Sequence, residues 1–442
     1  MTRHVVTRLP VDTGRSGWEA TSRRPFPARA LDADLTADWL VIGAGFAGLS
    51  AARRLTRLRP GERIVVLDAR ELAQGPAGRN SGFMIDVPHD LSSGEYSSGD
   101  ATGTRLEMAQ NRLAIDFAKE AAAEYGMPLE TFDPCGKINA AATERGLKLN
   151  ESFGASLEAI GEPLRRIAAA EMREITGSDY FLGGLYTPGA VLIQPADYIR
   201  AFAAGLGPRI VLYENSPVVE LAREGQLWTA RTPRGSVRAP KVILGVNGLV
   251  QAFGHFQGRL MHVFTYASMT APFAGQAGRD RWALLPADPM GATLRKITAA
   301  DGARIVIRTR FTYDPSGQVS ERRIAATAAK QRRSFDARFP DLAGLRFEHS
   351  WAGRLCLSLN HVPAFGEVEQ GLYSACCCNG LGTVKSTLAG MMAADLATGS
   401  RSKDLETYQD QPKPRRLPPE PVAGLGARAV IRWQEMRAGR EG

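Results

Sequence analysis

The segment Gly43-Ala44-Gly45-Phe46-Ala47-Gly48 constrains this chain more than any other, because it fits G-x-G-x-x-G between a strand pattern and a helix pattern. Trp39-Leu40-Val41-Ile42 before it is a continuous apolar run, suited to a parallel strand buried on both faces. After it, Leu49, Ala52, Leu55 and Leu58 recur on one helical face, Pro60-Gly61 ends the helix, and Arg63-Ile64-Val65-Val66-Leu67-Asp68 reads as a second strand. Each glycine has a physical task. Gly43 permits the tight turn, Gly45 lets a pyrophosphate approach the backbone, Gly48 allows close helix–strand packing, and the helix N-terminus stabilises phosphate charge. Asp68 ends the second strand, where a carboxylate accepts hydrogen bonds from an adenosine ribose. The unit implies a bound dinucleotide. The acid at 68 disfavours NADP, although Arg70 is close, while NAD and FAD use the same turn.

At 442 residues the chain is long enough for two domains with large cores. Its 44% hydrophobic and 23% charged residues exclude wholesale disorder or a fibrous repeat. The 55 basic residues outnumber 46 acidic ones, but the surplus is spread along the chain with no aromatic-interleaved basic stripe, so no nucleic-acid partner is expected. A weak attraction for anionic substrates or acceptors follows from the charge. Cys135, Cys356 and the run Cys376, Cys377, Cys378 offer none of the spaced pairs that zinc or iron–sulfur sites use, so no metal is expected. Adjacent cysteines do not readily pair, which suits a reduced, cytoplasmic protein. The start MTRHVVTRLP lacks a signal peptide's apolar stretch, Arg23-Arg24 leads into Pro25 and Pro27, and no apolar run is long enough for a spanning helix.

Residues 1–35 show no sustained periodicity and read as an arm packed over the surface. Helices are expected at 106–125, stopped by Gly126, and at 143–160, with Lys137-Ile138-Asn139-Ala140-Ala141 a strand between them. Strands are expected near 209–213, 217–222, 227–231 and 241–246, and a hairpin at 292–311 around Asp301-Gly302. Leu372-Tyr373-Ser374-Ala375 leads through the cysteine run into Asn379-Gly380-Leu381-Gly382 and a helix carrying Val384, Leu388, Met391 and Met392, a second strand–turn–helix unit. The cysteine run reads as small buried residues ending that strand. Prolines at 412, 414, 418, 419 and 421 mark a linker before a helical tail.

The stretch from Ala37 to Ala52, followed by Gly78-Arg79-Asn80-Ser81-Gly82-Phe83, resembles the flavin-dependent amino acid and amine oxidases, a D-amino acid oxidase-like family that includes glycine, sarcosine and gamma-glutamylputrescine oxidases. The resemblance is strongest to the last, whose members also tend to have a Trp-containing arm and a G-R-N-G-G-like turn. Supporting matches are the segment Gly189 to Ala196, Val246-Asn247-Gly248, Asn360 to Gly366 as a D-x-x-P-x-x-G-like stretch, and the closing turn Asn379 to Gly382. The resemblance implies an α/β fold, with a Rossmann-type FAD-binding domain and an interleaved, sheet-rich α+β substrate domain. Its division is an N-terminal arm at 1–35; an FAD-binding domain at 36–90, 186–250 and 352–402; a substrate domain at 91–185 and 251–351; and a Pro-rich linker and tail at 403–442.

It further implies that FAD is held by Gly43 to Gly48, by Asp68, Ala69 and Arg70, by Arg79, Asn80 and Ser81 along the pyrophosphate and flavin, by the backbone of Val219 at the adenine, by Asn247 and Gly248, and by Asn379, Gly380, Leu381, Gly382 and Thr383. The helix after the last turn would direct its N-terminus at the flavin N1–C2=O edge and stabilise the reduced flavin's negative charge. Related sarcosine oxidases place a carboxylate-binding lysine where this chain has Val384, with Lys385 one position later, so an amine without a nearby carboxylate gains weight. Covalent attachment would need a histidine after the first βαβ unit, which is lacking, or Cys356, whose register does not match if Asn360 stands in the Asp place; FAD is expected to be non-covalent, with Cys356 the exception to test. His262 and Tyr266 fall on a strand that would line the substrate cavity and could contact the amine or set its protonation, though both also fit as satisfied core residues. The implied reaction takes a hydride equivalent from the carbon beside a neutral amine nitrogen, gives an imine that water hydrolyses, and uses molecular oxygen as acceptor with release of hydrogen peroxide. A flavin monooxygenase or a dehydrogenase with another acceptor, and a non-catalytic FAD-binding protein, are the alternatives.

Overall fold

In the computed structural model, which describes residues 2–22, 24, 26–88, 100–274, 277–299 and 301–442, the first βαβ unit opens a six-stranded sheet. The readings placed on Arg23, Pro25 and residues 89–99 lie outside the described residues. The strand order is Val211–Tyr213, Ile64–Leu67, Trp39–Ile42, Lys241–Leu244, Leu372–Cys376, Ala364–Glu369. The first five run parallel and the last returns as a hairpin. Trp39–Ile42 lies between two parallel neighbours with all four residues buried, which is why its sequence is apolar throughout.

Helix Phe46–Leu58 follows the first strand and buries Leu49, Ala52 and Leu55, while Leu58 is half-buried. It packs on helix Gly382–Thr398, which follows the Leu372–Cys376 strand. A Cβ at Gly390 would lie 2.1 Å from the Ala47 carbonyl oxygen, so only glycine admits this approach of the two helices. Both strand–turn–helix units therefore begin their helices on one side of one sheet.

A second sheet of eight strands has the order Phe347–Ser358, Leu260–Thr270, Gly302–Tyr313, Thr293–Ala299, Trp282–Pro286, Lys137–Ala141, Gly183–Thr187, Arg165–Ala168. Its pairs are antiparallel except Trp282–Pro286 with Lys137–Ala141. The expected hairpin is the pair Thr293–Ala299 and Gly302–Tyr313, closing at Ala299 opposite Gly302. Helices Ala101–Glu124 and Glu144–Glu158 match the expected spans; Asp100 accepts the Thr102 and Gly103 N–H groups and so starts the first helix ahead of its apolar periodicity. The observed architecture is the expected mixed α/β fold. Among the described residues no helix is long and apolar enough to cross a membrane.

The N-terminal arm departs from expectation. Thr2–Val5 and Asp34–Thr36 form the two edges of a five-stranded sheet with Glu220–Glu224, Leu227–Thr232 and Gly235–Ala239. Between them the short helix Gly17–Ala20, capped by Ser16, drives Trp18 fully into the core, where its Nε1 donates to the Asn80 carbonyl at 2.8 Å and its ring meets Trp351 edge-on. Single side chains anchor this arm at intervals, and a periodicity argument has nothing to read in such a segment.

Candidate functional site

Both glycine turns open into one elongated cleft enclosing about 1640 Å³, including the space open to solvent. Its lining runs from the first turn and the end of the second strand to the closing turn, a span that suits a dinucleotide with a substrate beside it. Gly43, Ala44, Gly45, Phe46 and Ala47 line it from the first turn, Asp68, Ala69 and Arg70 from the end of the second strand, Asn80 and Ser81 from the following loop, and Gly380, Leu381, Gly382 and Thr383 from the closing turn.

The glycines are required by geometry. Gly43 has φ +99°, and a Cβ there would stand 2.7 Å from the Gly245 carbonyl oxygen on the adjacent strand. A Cβ at Gly48 would lie 1.7 Å from the Gly43 carbonyl oxygen, so Gly48 lets the helix sit directly on the turn without itself lining the cleft. Helices Phe46–Leu58 and Gly382–Thr398 both start without a side-chain cap. Uncapped first-turn N–H groups of two helices therefore face one cavity, with their positive dipole ends available to anionic groups of a ligand.

Asp68 accepts the Ala44 N–H at 2.7 Å and the Arg70 N–H at 2.9 Å. Burial raises its pKa above the usual carboxylate value despite those two bonds. Asn80 is locked by donating to the Ala77 carbonyl at 2.7 Å and accepting the Gly82 N–H at 2.8 Å. Thr383 donates to the Phe83 carbonyl and ties the closing turn to the loop carrying Asn80 and Ser81.

Other candidates lie elsewhere. Arg79 is buried but turned from the cleft: its guanidinium donates to the Gln74, Thr13, Ala352 and Gly14 carbonyls and clamps the N-terminal arm. Val218 lines the cleft where Val219 was expected, because the Val219 N–H and C=O are both used, with Arg231 and Val6. Asn247 lines the cleft and its Oδ1 accepts the Cys377 and Cys378 N–H groups, whereas Gly248 faces the His262 ring, with a would-be Cβ 2.7 Å from its Cε1. Asn379 holds the closing turn from behind, accepting the Ser358 N–H and donating to the Val362 carbonyl. Cys356 is buried and does not line the cleft, while Cys378 does. All five cysteines are free.

His262 and Tyr266, the candidates for contact with the amine, and Lys385, the lysine next to the Val384 position, are also not in the lining. Tyr266 packs with Phe264, Val319, Ile324 and Ala352 and shares a hydrogen bond with Thr312, because alternation along its strand points it at helix Glu321–Arg338. Lys385 pairs with Glu107 at 3.0 Å. His262 lies in a neighbouring groove, where burial and the charges of Arg354 and Arg8 push its pKa down to about 4, so it is neutral.

The large sheet instead contributes Leu285, Arg308, Arg354 and Leu355, and the N-terminal segment contributes Val6, Arg8, Leu9 and Pro10. Arg308 is buried on the Gly302–Tyr313 strand with its guanidinium over the Phe311 ring. Arg354 donates to the Gly317 carbonyl at 3.2 Å and lies 3.7 Å from Asp12. Among the described residues the carboxylates lining the cleft are Asp68 and Glu71 beside the first turn, and the described residues that the large sheet contributes are cationic and apolar. No local motif surrounds Arg308 or Arg354. Gly245, opposite Gly43, was the one missed position with a legible signal.

A glycine turn, an acid at the second strand's end and a second uncapped helix on the same cavity define a dinucleotide-dependent oxidoreductase scaffold. Residues 38–396 match the DAO family, described as FAD dependent oxidoreductase, and the chain belongs to that family. It is 25% identical over 377 residues to a probable oxidoreductase, OrdL, of Haemophilus influenzae, covering 82% of this chain and 83% of that protein. It is 24% identical to the gamma-glutamylputrescine oxidoreductase of Escherichia coli, covering 88% and 90%. Among solved structures, glycine oxidase from Geobacillus kaustophilus superposes with a TM-score of 0.69 at 19% identity, covering 87% of this chain and all of that one. L-proline dehydrogenase from P. horikoshii gives 0.65 at 19%, covering 85% and 97%. The protein is an FAD-dependent enzyme, and the cleft fits the cofactor: the first turn and Asp68 suit the pyrophosphate and ribose, and the closing turn suits the flavin.

Proposed function

We propose that this enzyme oxidises the carbon–nitrogen bond of a small amine or amino acid bearing a carboxylate, giving an imine that water hydrolyses, with molecular oxygen as acceptor. The observation that supports it is the position of Arg308, a buried guanidinium on the large sheet that lines the same cleft as the closing glycine turn. A guanidinium presents a planar fork to a carboxylate and orients it in two dimensions. The departure at Val384 argued against a carboxylate; Arg308 supplies the missing cation from another element.

Bound FAD supplies the two-electron acceptor. The chain's own residues bind and orient. Leu285, Leu355, Phe83 and Ile85 provide an apolar wall that excludes water. Arg8, Arg308 and Arg354 place positive charge around the substrate, which lowers an ammonium pKa and favours the neutral amine needed for oxidation. The names of the relatives, a gamma-glutamylputrescine oxidoreductase and a glycine oxidase, fit an amine substrate class.

The test is a peroxide-coupled assay with amino acids, N-methyl amino acids, putrescine derivatives and the carboxamide of each carboxylate. The carboxylates are expected to turn over with KM at least about tenfold below their amides, from the loss of one charge-assisted bond. Equal turnover of the amides would overturn the carboxylate assignment. Substrate consumption coupled to a quinone dye, with no peroxide formed, would overturn the acceptor.

A further inference from the structure

We infer that the C-terminal helix Val422–Ala438 is an anchor for an anionic lipid surface, which would seat the enzyme peripherally on a membrane. One face of this helix is accounted for: Ala427, Ile431 and Ala438 pack against Val263, Phe311 and Tyr313 of the large sheet and Met290 of the loop before Thr293–Ala299. The opposite face is not. Val422, Leu425, Val430, Trp433 and Met436 are between 52% and 65% exposed, and they recur at helical spacing as one apolar stripe. Five large apolar side chains held together in solvent on a single helix form the kind of patch that marks an interaction surface.

The charges select the occupant. Arg428 and Arg432 run along one edge of the stripe, both exposed, and among the described residues neither forms an ion pair. Arg437 stacks on the Trp433 ring, and Lys413, Arg415 and Arg416 are exposed on the linker leading to the helix. The helix's one acid is turned inward, where Glu435 pairs with Arg310 and accepts the Phe311 N–H. An apolar stripe bearing a tryptophan, edged by cations and free of acids, has the composition of a helix lying in a lipid headgroup region. A second copy of the chain fits less well. An isologous contact would set the arginine edge against itself with no carboxylate on the stripe to compensate it.

The full-length, FAD-loaded protein is sedimented with vesicles of phosphatidylglycerol and phosphatidylcholine, and with phosphatidylcholine alone. Binding is expected on the anionic vesicles and is weakened by salt. Trp433→Ser with Met436→Ser should abolish it, and Arg428→Gln with Arg432→Gln should weaken it roughly tenfold or more at low salt, from the loss of two charges near the surface. Because these side chains are exposed, the flavin content and thermal midpoint should be unchanged, which separates lost binding from lost folding. Absence of sedimentation with anionic vesicles would overturn the inference. So would a dimer, seen by light scattering, that the Trp433→Ser, Met436→Ser variant converts to monomer.

Discussion

The Asp68 carboxylate accepts the Ala44 N–H at 2.7 Å, joining the end of the second strand to the middle of the glycine turn. This bond sets the turn's shape before any ligand arrives, and it leaves further lone pairs of the carboxylate for a ribose. Asp68→Ala removes both functions. FAD affinity is expected to fall roughly 10- to 100-fold, the worth of one or two hydrogen bonds to a charged group, in a fluorescence titration of the apoprotein. Unchanged affinity would show that Asp68 only shapes the turn.

Arg79 donates to four backbone carbonyls and lines no part of the cleft. Its replacement therefore tests an arm clamp rather than a cofactor ligand. Arg79→Met should destabilise the fold by about 3 kcal/mol, because buried carbonyls lose their donors. Denaturant unfolding reads the loss, and protease susceptibility should rise within residues 10–20. A variant of normal stability with weakened FAD binding would restore Arg79 to the cofactor.

His262 titrates near 6.5 when unfolded and near 4 in the fold, where burial and the neighbouring arginines oppose its charge. Between those values the unfolded chain binds the extra proton and the folded chain does not. Stability contributed by the neutral imidazole is thus present above pH 6.5 and is lost as the pH falls toward 4. The loss amounts to at most about 3 kcal/mol. His262→Asn should flatten this part of the stability profile by urea unfolding at pH 7 and pH 5. A variant profile as steep as the wild type would assign the acid sensitivity to other groups.

Arg308→Gln should raise KM for a carboxylate-bearing substrate about 10- to 100-fold. Flavin content should be unchanged, since Arg308 belongs to the large sheet and not to either glycine turn. A matching rise for an uncharged amine would show that the residue merely supports the cavity wall.

These outcomes follow a division between local and non-local information. The first turn was legible because Gly43 and Gly48 answer to backbone constraints within a few residues of each other, down to the 1.7 Å approach a Cβ at Gly48 would make. The central strands were legible because burial on both faces leaves a continuous apolar run. Arg79 departs from expectation for a physical reason: its flanking glycines do report close backbone approach, but the neighbour is protein, since a Cβ at Gly78 would lie 1.9 Å from the Ala73 carbonyl oxygen and one at Gly82 2.4 Å from the Ile193 carbonyl oxygen. His262 and Tyr266 lie on a strand as expected, yet no residue of Leu260–Thr270 lines the cleft, and helix Glu321–Arg338, a contact far away in sequence, covers the face that carries Tyr266. Arg308 and Arg354 sit on strands without a motif, and tertiary packing alone brings them to the cleft.

We propose that FAD in this cleft accepts electrons from a carboxylate-bearing amine bound against the large sheet. This is tested most directly by the visible absorbance spectrum of the purified protein before and after anaerobic addition of amino acids, N-methyl amino acids and putrescine derivatives. The expected result is an oxidised flavin spectrum that one carboxylate-bearing class bleaches within seconds and that oxygen restores. A protein that takes up no FAD, or one whose bound flavin no amine reduces, would contradict it.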